Sequence, residues 1–310
     1  MEDKIEIMHL LQNKQLLEKE LGSLTYGSVE IRENSKNKYI YVHYREDGVK
    51  LTKYVGEYSD DLYNLILNNS IKAKELKKQI REIDKRLKQL NYTENELSEK
   101  VEQNIDFAKR HLVDTIYKQA ILEGVATTFA DTESIIEGGK VNNMTSEDVM
   151  KIVNLKHAWE FILNKNVILS NTDFALLCEI NKLVEEGFYY TAGKVRNVPV
   201  SIGGTTWTPE LPVESVIKEE LEEIFNRNIN DVDRAIELLL YTMKKQVFID
   251  GNKRTSVIFS NHYLISKGKG IIAIPAELTE EFKDLLIPCY EGKDETNIKK
   301  FIKEKCYMNI

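Results

Sequence analysis

The sequence predicts a mainly α-helical protein, in which an all-helical domain with one β-hairpin follows a small α+β module. Apolar residues recur every three or four positions in five long segments between residues 104 and 248, the spacing of amphipathic helices. Period-two alternation, typical of strands, is clearest in residues 27–56. A chain of 310 residues can form one sizeable core and a smaller module. We therefore expect an amino-terminal module at 1–100 and a helical domain at 101–310.

The amino-terminal module contains three predicted elements. Residues 1–25 form a helix that Gly22 ends. Alternation over 27–56, with turn signals at 33–37 (ENSKN) and 46–48 (EDG), predicts an antiparallel hairpin or a three-stranded sheet. A charged helix follows, and its apolar residues form a heptad-like seam of Ala73, Leu76, Ile80, Ile83, Leu87 and Leu90. The seam fits either an antiparallel helical hairpin or a dimeric coiled coil, so a homodimer is one expected arrangement.

The helical domain is predicted from five amphipathic segments in order: 104–125, 146–165, 172–187, 213–227 and 231–248. Thr145 or Ser146 is a suitable cap for the second segment. A sixth helix is expected after Gly251, with Asn252 to Thr255 in its first turn, and short extended pieces are expected at 195–209 and 270–275. Only five prolines occur in the chain, which leaves these long segments free to be helical.

Composition excludes several classes of protein. The net charge of −7 gives no general affinity for nucleic acid, and no nucleic-acid partner is indicated. Three widely spaced cysteines indicate neither a disulfide framework nor a zinc site. The sequence has no run of about 18 apolar residues and no signal-peptide pattern at its start, so we expect a cytoplasmic protein with no membrane association.

The stretch QVFIDGNKRTS, residues 246–256, interrupts two apolar segments with polar residues. A glycine after an acid permits a left-handed backbone, and a helix restarting after it offers free N–H groups to an anion. Lys253 and Arg254 add positive charge there, and the Asp250 carboxylate is a suitable Mg²⁺ ligand. The pattern predicts a polyphosphate cradle, although a surface turn between two helices fits the same residue types. It is neither a Walker loop nor a Rossmann fingerprint.

These residues resemble the motif of the Fic/Doc (Fido) family, H-x-F-x-[DE]-[GA]-N-[GK]-R, and the lysine before the arginine is closer to the Doc branch. The segment GKVRNVPVSIGGTTW is similar to the family's flap, and TESIIEGG is similar to its inhibitory helix. The resemblance covers residues ~101 to ~306 and implies a Fido-type helical domain. It implies transfer of AMP or a phosphate from Mg-ATP, or another nucleoside triphosphate, to a protein hydroxyl.

Site residues follow from the resemblance by position. Asp250 is expected to bind Mg²⁺ and to act in catalysis with Arg254, which counters charge on the phosphates. The N–H groups of Gly251, Asn252 and Lys253 are expected to form the anion hole around the nucleotide. The protein substrate is expected to pair with the backbone of the flap, at Ile202, Gly203, Gly204 and Thr205. Inhibition is expected from Glu137, followed by Gly138.

Three positions depart from the family pattern. Gln246 replaces the motif histidine, and a carboxamide can orient a hydroxyl but cannot accept its proton as imidazole does. Val257 stands where the AMP-transferring branch has a second arginine, which leaves AMP and phosphate transfer both open. Glu133 stands where the inhibitory signature has Ser or Thr. The alternatives are therefore an autoinhibited transferase, in which Gln246 orients the nucleophile, and a degenerate nucleotide- or phosphate-binding module. A third, minor alternative is a different reaction at the same phosphate-binding site.

Overall fold

The computed structural model describes residues 2–34, 37–46, 49–90, 92, 97–142 and 144–310, and for residues 2–5, 45, 46 and 49 it describes the backbone alone. The chain divides into two compact units, Glu2–Thr93 and Glu94–Ile310. Among the described residues, no helix is both long and apolar enough to cross a lipid bilayer. The mainly α fold class predicted from the sequence is confirmed.

The first unit consists of two long helices and a three-stranded antiparallel sheet with strand order β1-β2-β3. Its elements are α1 (Glu2–Ser23), β1 (Ser28–Glu33), β2 (Lys38–Glu46), β3 (Val49–Glu57) and α2 (Asp60–Gln89). Ile40 and Val42 of β2 pack against Ile66 of α2 and form a small core. The three-stranded alternative is therefore the one observed, whereas residues 35–36 and 47–48 of the two predicted turns lie outside the described residues.

The heptad seam of α2 packs against α1 of the same chain. Ala73, Leu76 and Leu87 are buried on α2, as are Met8 and Leu11 on α1. Ion pairs connect the two helices in antiparallel order, because positions that rise along α1 meet positions that fall along α2. The pairs are Glu6–Arg86 at 2.6 Å, Lys14–Asp84 at 2.7 Å and Glu20–Lys72. The described residues thus form the helical-hairpin alternative.

The second unit is helical and carries one two-stranded sheet. Its first elements are α3 (Glu99–Arg110), α4 (Leu112–Leu122), α5 (Phe129–Ile136), α6 (Ser146–Ile162), α7 (Lys165–Ile168) and α8 (Phe174–Val184). After a long loop follow α9 (Glu214–Asn226), α10 (Asp231–Lys245), α11 (Asn252–Ser266), β4 (Ile271–Ile272), α12 (Thr279–Tyr290), α13 (Thr296–Phe301) and β5 (Tyr307–Met308). The predicted extended piece at 270–275 contains β4, which pairs antiparallel with β5.

Helix α11 forms the centre of this unit, because its residues are buried on every side from Thr255 to Ile265. It packs against α10, α8, α3 and α6. Side chains cap the amino ends of α6, α8 and α10, whereas α3 has no side-chain cap. For example, the hydroxyl of Thr145 accepts a hydrogen bond from Asp148 N at 3.0 Å. A core helix held in this way fixes the position of the loop that precedes it.

Residues 193–213, which include the predicted hairpin flap at 193–207, contain no paired strand. The chain is extended and turns at Gly203 and Gly204, where φ of Gly204 is +85°. Ile202, Thr205 and Trp207 are partly buried, whereas the side chains between them are exposed. The flap is therefore a strand-like loop with one anchored face, and its contacts with other elements replace the hydrogen bonds of a hairpin.

Candidate functional site

The motif loop joins α10 to α11 through two left-handed residues. Gln246 ends α10 with φ +46° and ψ +60°, and Gly251 precedes α11 with φ +70°. A Cβ atom at Gly251 would lie 2.3 Å from Oε1 of Glu185, so both its backbone angle and the close approach of this carboxylate require glycine. The sequence prediction of an open turn after Asp250 agrees with this geometry.

Asn252 fixes the shape of the loop from within the first turn of α11. Its Oδ1 accepts a hydrogen bond from Phe248 N at 3.0 Å, and its Nδ2 donates to Phe248 O at 2.8 Å. The first helical hydrogen bond of α11 runs from Thr255 N to Gly251 O at 2.8 Å. Because an α-helix leaves its first N–H groups without helical acceptors, the N–H groups of Asn252 and Lys253 are available to an anion.

Asp250 lies at the mouth of this loop. Its side chain is half-exposed, and its Oδ1 accepts a hydrogen bond from Gly251 N at 2.7 Å. Among the described residues, no three His, Cys, Asp or Glu side chains come together as a metal-binding cluster. One accessible carboxylate still fits Mg²⁺, since this ion commonly binds one or two carboxylates together with phosphate oxygens of a substrate. Asp250 is therefore the residue that would hold a nucleotide-bound metal.

Arg254 is buried behind the loop between acidic side chains. Only 3% of its side chain is exposed, and Nη2 lies 2.9 Å from Oε1 of Glu185 and 3.7 Å from Oδ1 of Asp250. On another side, Nε lies 3.4 Å from Oε2 of Glu123, and this carboxylate also lies 3.7 Å from Nζ of Lys253. Nε and Nη1 of Arg254 make no hydrogen bond in the described part of the chain. Of these two nitrogens, Nε lies in the ion pair with Glu123, so Nη1 is the buried donor that remains for a ligand.

The carboxyl group of Glu185 is strongly perturbed. It is 2% exposed, and desolvation raises its pKa from 4.5 to about 7. The positive charge of Arg254 lowers this pKa, but the negative charges of Asp250 and Glu123 oppose that effect. Near neutral pH Glu185 is therefore protonated in some molecules and ionised in others, so the negative charge that faces Arg254 varies with pH.

Gln246 is held in place by its own helix and by a buried arginine. Its Nε2 donates to Met243 O at 2.6 Å, which caps the end of α10. The backbone carbonyl of Gln246 accepts a hydrogen bond from Nε of Arg196 at 2.6 Å. His262 does not replace the missing imidazole, because both of its ring nitrogens are engaged, by Thr172 and by Val167 O. Burial also lowers the pKa of His262 to about 4.

The flap is attached to the rest of the domain at both its base and its tip. At the base, the buried guanidinium of Arg196 donates to the carbonyls of three loop residues, namely Val198, Pro209 and Glu210. At the tip, the hydroxyl of Thr205 donates to Oε1 of Glu291 at 2.8 Å. The ring of Trp207 stacks on Tyr290 with 6.1 Å between centroids and 8° between planes. The loop that was predicted to dock a substrate is therefore held in a defined position beside the motif.

The motif region matches a known family. Residues 171–264 match the Fic/DOC family model. This segment runs from just before α8 to the last turn of α11, and it contains the flap and the whole motif. No curated protein matches the chain.

Solved structures containing Fic domains share this fold. Fic-1 (residues 134–508) from C. elegans has a TM-score of 0.53 at 15% identity, covering 78% of this chain and 79% of that one. A Fic-domain-containing signalling protein from Bacteroides thetaiotaomicron has a TM-score of 0.52 at 17% identity, with 67% and 85% covered. A Fic family protein from Desulfovibrio desulfuricans gives 0.52 at 14% identity, with 67% and 72% covered. The family match and the shared fold together support a Fic domain in this chain.

Glu137, the residue predicted to be inhibitory, forms no ion pair with Arg254 in the described part of the chain. Glu137 ends α5 and is exposed, and Gly138 follows it with φ +81°. Among the described residues, the acidic partners of Arg254 are Glu123, Glu185 and Asp250, and none is Glu137. The inhibitory role of Glu137 stays a prediction, and the structure brings it into no contact with the motif.

Sequence reasoning did not identify Glu123, Glu185 and Arg196. A local signal existed for the two acids, because each follows an apolar helix and stands one or two residues before a glycine, as Asp250 does. The backbone carbonyls that Arg196 binds are invisible in a sequence. Its burial without a carboxylate partner is the feature that identifies it in the structure.

Proposed function

We propose that this protein transfers a phosphate-containing group from Mg-ATP, or another nucleoside triphosphate, to a hydroxyl of a protein held against the flap. The observation that supports this most directly is Arg254, a buried guanidinium whose Nη1 has no hydrogen bond or ion pair among the described residues. Buried polar groups are normally hydrogen-bonded, so a free donor of this kind favours an anionic ligand. The family match of the same segment supports the same class of reaction.

The residues of the motif take complementary roles in this proposal. The N–H groups of Asn252 and Lys253 donate hydrogen bonds to phosphate oxygens. Gly251, which has no side chain, lets the backbone approach the phosphates closely. Asp250 would hold the Mg²⁺ ion, which would neutralise part of the phosphate charge. Arg254 counters the charge that develops on the transferred or departing group. These contributions require positioning and electrostatics more than a reactive side chain.

The flap supplies the acceptor side of the proposed reaction. Ile202, Thr205 and Trp207 face inward in part, and no protein acceptor binds the backbone N–H groups of Ile202, Gly203 and Gly204 among the described hydrogen bonds. An extended target segment can pair with such an edge by strand addition. The acceptor hydroxyl would then be held next to the phosphate loop, because Arg196 links the base of the flap to Gln246.

The resting site is closed around Arg254 in a way that implies inhibition. Glu123 and Glu185 occupy the guanidinium, and Glu123 also pairs with Lys253. A phosphate needs these cations, so nucleotide binding has to displace at least one carboxylate. Loss of charge on Glu185 by protonation facilitates that displacement, because its pKa is raised to about 7. We infer an autoinhibited transferase in which Glu123 and Glu185 restrain Arg254.

One observation favours a second candidate, a nucleotide-binding module without transfer activity. The side-chain amide of Gln246 donates to Met243 O, and no imidazole replaces it at the motif. A positioned general base contributes typically 10²–10⁴-fold to such reactions. A protein lacking one retains binding and transfers slowly or not at all. Val257, which is 1% exposed, also leaves AMP transfer without a second arginine.

Labelled nucleotides distinguish the two candidates. The wild type, Gln246→His and Arg254→Ala are incubated with α- or γ-labelled ATP, Mg²⁺ and cell lysate, with the surface variant Arg110→Ala as control. Transfer by the wild type establishes the enzyme, and the label position separates AMP transfer from phosphate transfer. Transfer only by Gln246→His establishes the binding module. If neither transfers label and calorimetry detects no ATP binding, the proposed function is wrong.

A further inference from the structure

A row of five cations, here called the basic stripe, runs along the exposed side of α2 in the first unit. Its members recur at alternating spacings of four and three residues, namely Lys74, Lys78, Arg81, Lys85 and Lys88. Residues at these spacings lie on one face of a helix. The stripe extends over about 21 Å, because a helix rises about 1.5 Å per residue. All five side chains are exposed, whereas the buried residues of the heptad seam lie on the other side of α2.

The basic stripe has no acidic partner among the described residues. Arg86 lies on another face of α2 and pairs with Glu6 of α1 at 2.6 Å. Glu75 and Glu82 flank the stripe, and the described ion pairs include none between them and its cations. Residues 72–88 contain eight basic and three acidic residues, so the helix cannot neutralise itself. Like charges three or four residues apart destabilise a helix, and an anionic partner would relieve this repulsion.

Two exposed apolar residues continue the basic stripe toward the amino end of α2. Leu67 and Ile71 precede Lys74 by seven and three residues, so they lie on the same face of the helix. Leu67 is 39% exposed and Ile71 is 68% exposed. A partner that follows the whole face therefore meets apolar surface at one end and positive charge along the rest.

An acidic amphipathic helix has the chemistry that fits this face. Glutamates that recur at the same spacings would place one carboxylate beside each cation, as in the flanks of a coiled coil, and apolar residues at one end would cover Leu67 and Ile71. A nucleic-acid backbone offers phosphate charge to such a stripe, and the net charge of −7 of the chain opposes a long polyanion. A lipid surface fits less well, because α1 and the sheet already cover the apolar side of α2 that would insert.

We propose that the basic stripe, together with Leu67 and Ile71, docks an acidic amphipathic helix of a partner protein. This role goes beyond the proposed transfer reaction and is independent of it, because it uses residues of the first unit alone. Each exposed ion pair contributes a factor of about 1.5–5 to affinity. Binding that uses five of them is therefore expected to weaken steeply as the salt concentration rises.

Synthetic helical peptides test the proposal on the whole chain. The matched peptide spans about four heptads and has five glutamates at the spacing of the basic stripe, with two leucines at one end. It is made in two forms, with the leucines at the amino or the carboxyl end, to allow parallel and antiparallel pairing. The scrambled peptide has the same composition, with the glutamates distributed around the helix. Oligouridine and vesicles of phosphatidylcholine and phosphatidylserine represent the other polyanions.

Two double variants remove the same charge from the same unit. Lys78→Gln with Arg81→Gln neutralises the centre of the basic stripe, and glutamine is a good helix former. The matched control is Lys50→Gln with Lys53→Gln, which neutralises two exposed cations of β3. Circular dichroism checks that both variants fold as the wild type does. Fluorescence anisotropy measures Kd for the peptides and oligouridine, and co-sedimentation measures it for the vesicles.

We expect one form of the matched peptide to bind the wild type at least about tenfold more tightly than the scrambled peptide. Its Kd is expected to rise about fivefold in the stripe variant and less than about twofold in the β3 control. Equal affinity for the matched and scrambled peptides, or equal losses in the two variants, would overturn the proposal. Absence of peptide binding, or tighter binding of oligouridine or vesicles than of the matched peptide, would overturn it as well.

Discussion

Replacing Glu185 with glutamine tests the electrostatics of the motif quantitatively. Burial raises the pKa of this carboxyl from 4.5 to about 7, so the folded protein binds its proton more tightly than the unfolded chain does. The associated stability is fully present below pH 4.5 and is lost as the pH rises through 7. A shift of this size corresponds to about 3 kcal/mol. Glutamine resembles the neutral form and carries no ionisation cost.

We therefore expect Glu185→Gln to be more stable than the wild type by about 3 kcal/mol at pH ~8 and nearly equal to it at pH ~5. Urea unfolding at several pH values, followed by tryptophan fluorescence, measures the difference. Both tryptophans, Trp159 and Trp207, lie in the second unit, so the signal reports the unit that contains the site. Glu123→Gln is the control, because it removes a partner of Arg254 but keeps the buried carboxyl of Glu185, whose pKa is raised mainly by desolvation and only in lesser part by Glu123.

A loss of stability in Glu185→Gln at pH ~8 would refute this reasoning. It would show that the carboxylate is needed as a counter-ion for Arg254, since removing one partner of a buried ion pair leaves an uncompensated charge. The ion pair would then outweigh desolvation, contrary to the direction of the pKa shift.

Three further substitutions test the loop and the flap. Gly251→Ala should lower the free energy of unfolding by about 2 kcal/mol or more, because φ at this position is +70° and the new Cβ would overlap Glu185. It should also abolish nucleotide binding; urea unfolding measures the first effect and calorimetry the second. Asn252→Ala should lose about 1–3 kcal/mol for each Phe248 backbone group left unpaired, and an unchanged melting temperature would contradict it. Arg196→Met should speed amide hydrogen exchange in residues 199–210, because it removes the hydrogen bonds that hold the base of the flap, while ATP affinity stays unchanged. Mass spectrometry measures the exchange rates, and rates equal to those of the wild type would contradict this prediction.

The parts of the fold that local chemistry determines were predictable from the sequence. Apolar spacing identified α6, α8, α9, α10 and α11, and Thr145, one of two predicted caps, is the cap of α6. The acid–glycine–amide order identified the turn before α11. Each of these depends on interactions within a few residues of chain. The prediction of one helix over 104–125 was wrong, because the chain forms α3 and α4 on either side of His111, and α7, α12 and α13 were not predicted. The antiparallel pairing of α1 with α2 was one of two alternatives, because a heptad seam does not specify its partner.

The remaining features depend on contacts between distant residues. Glu123 and Glu185 reach Arg254 from the ends of α4 and α8, and no periodicity encodes such a meeting. The flap was predicted as a hairpin because the segment GKVRNVPVSIGGTTW is similar to the family's flap. The actual anchor of its tip is Glu291, 86 residues away from Thr205. The sequence pattern of a loop whose tip binds the end of a distant helix is the same as that of a hairpin, so the sequence alone does not distinguish the two.

The buried position of Val257 has a consequence for any attempt to add a second cation to this site. Its side chain is 1% exposed and borders a small void that is also lined by Lys118, Gln119 and Leu122. An arginine introduced there would crowd this void and place a second positive charge beside Lys118. Val257→Arg is therefore expected to destabilise the second unit, because the void has no room for a guanidinium.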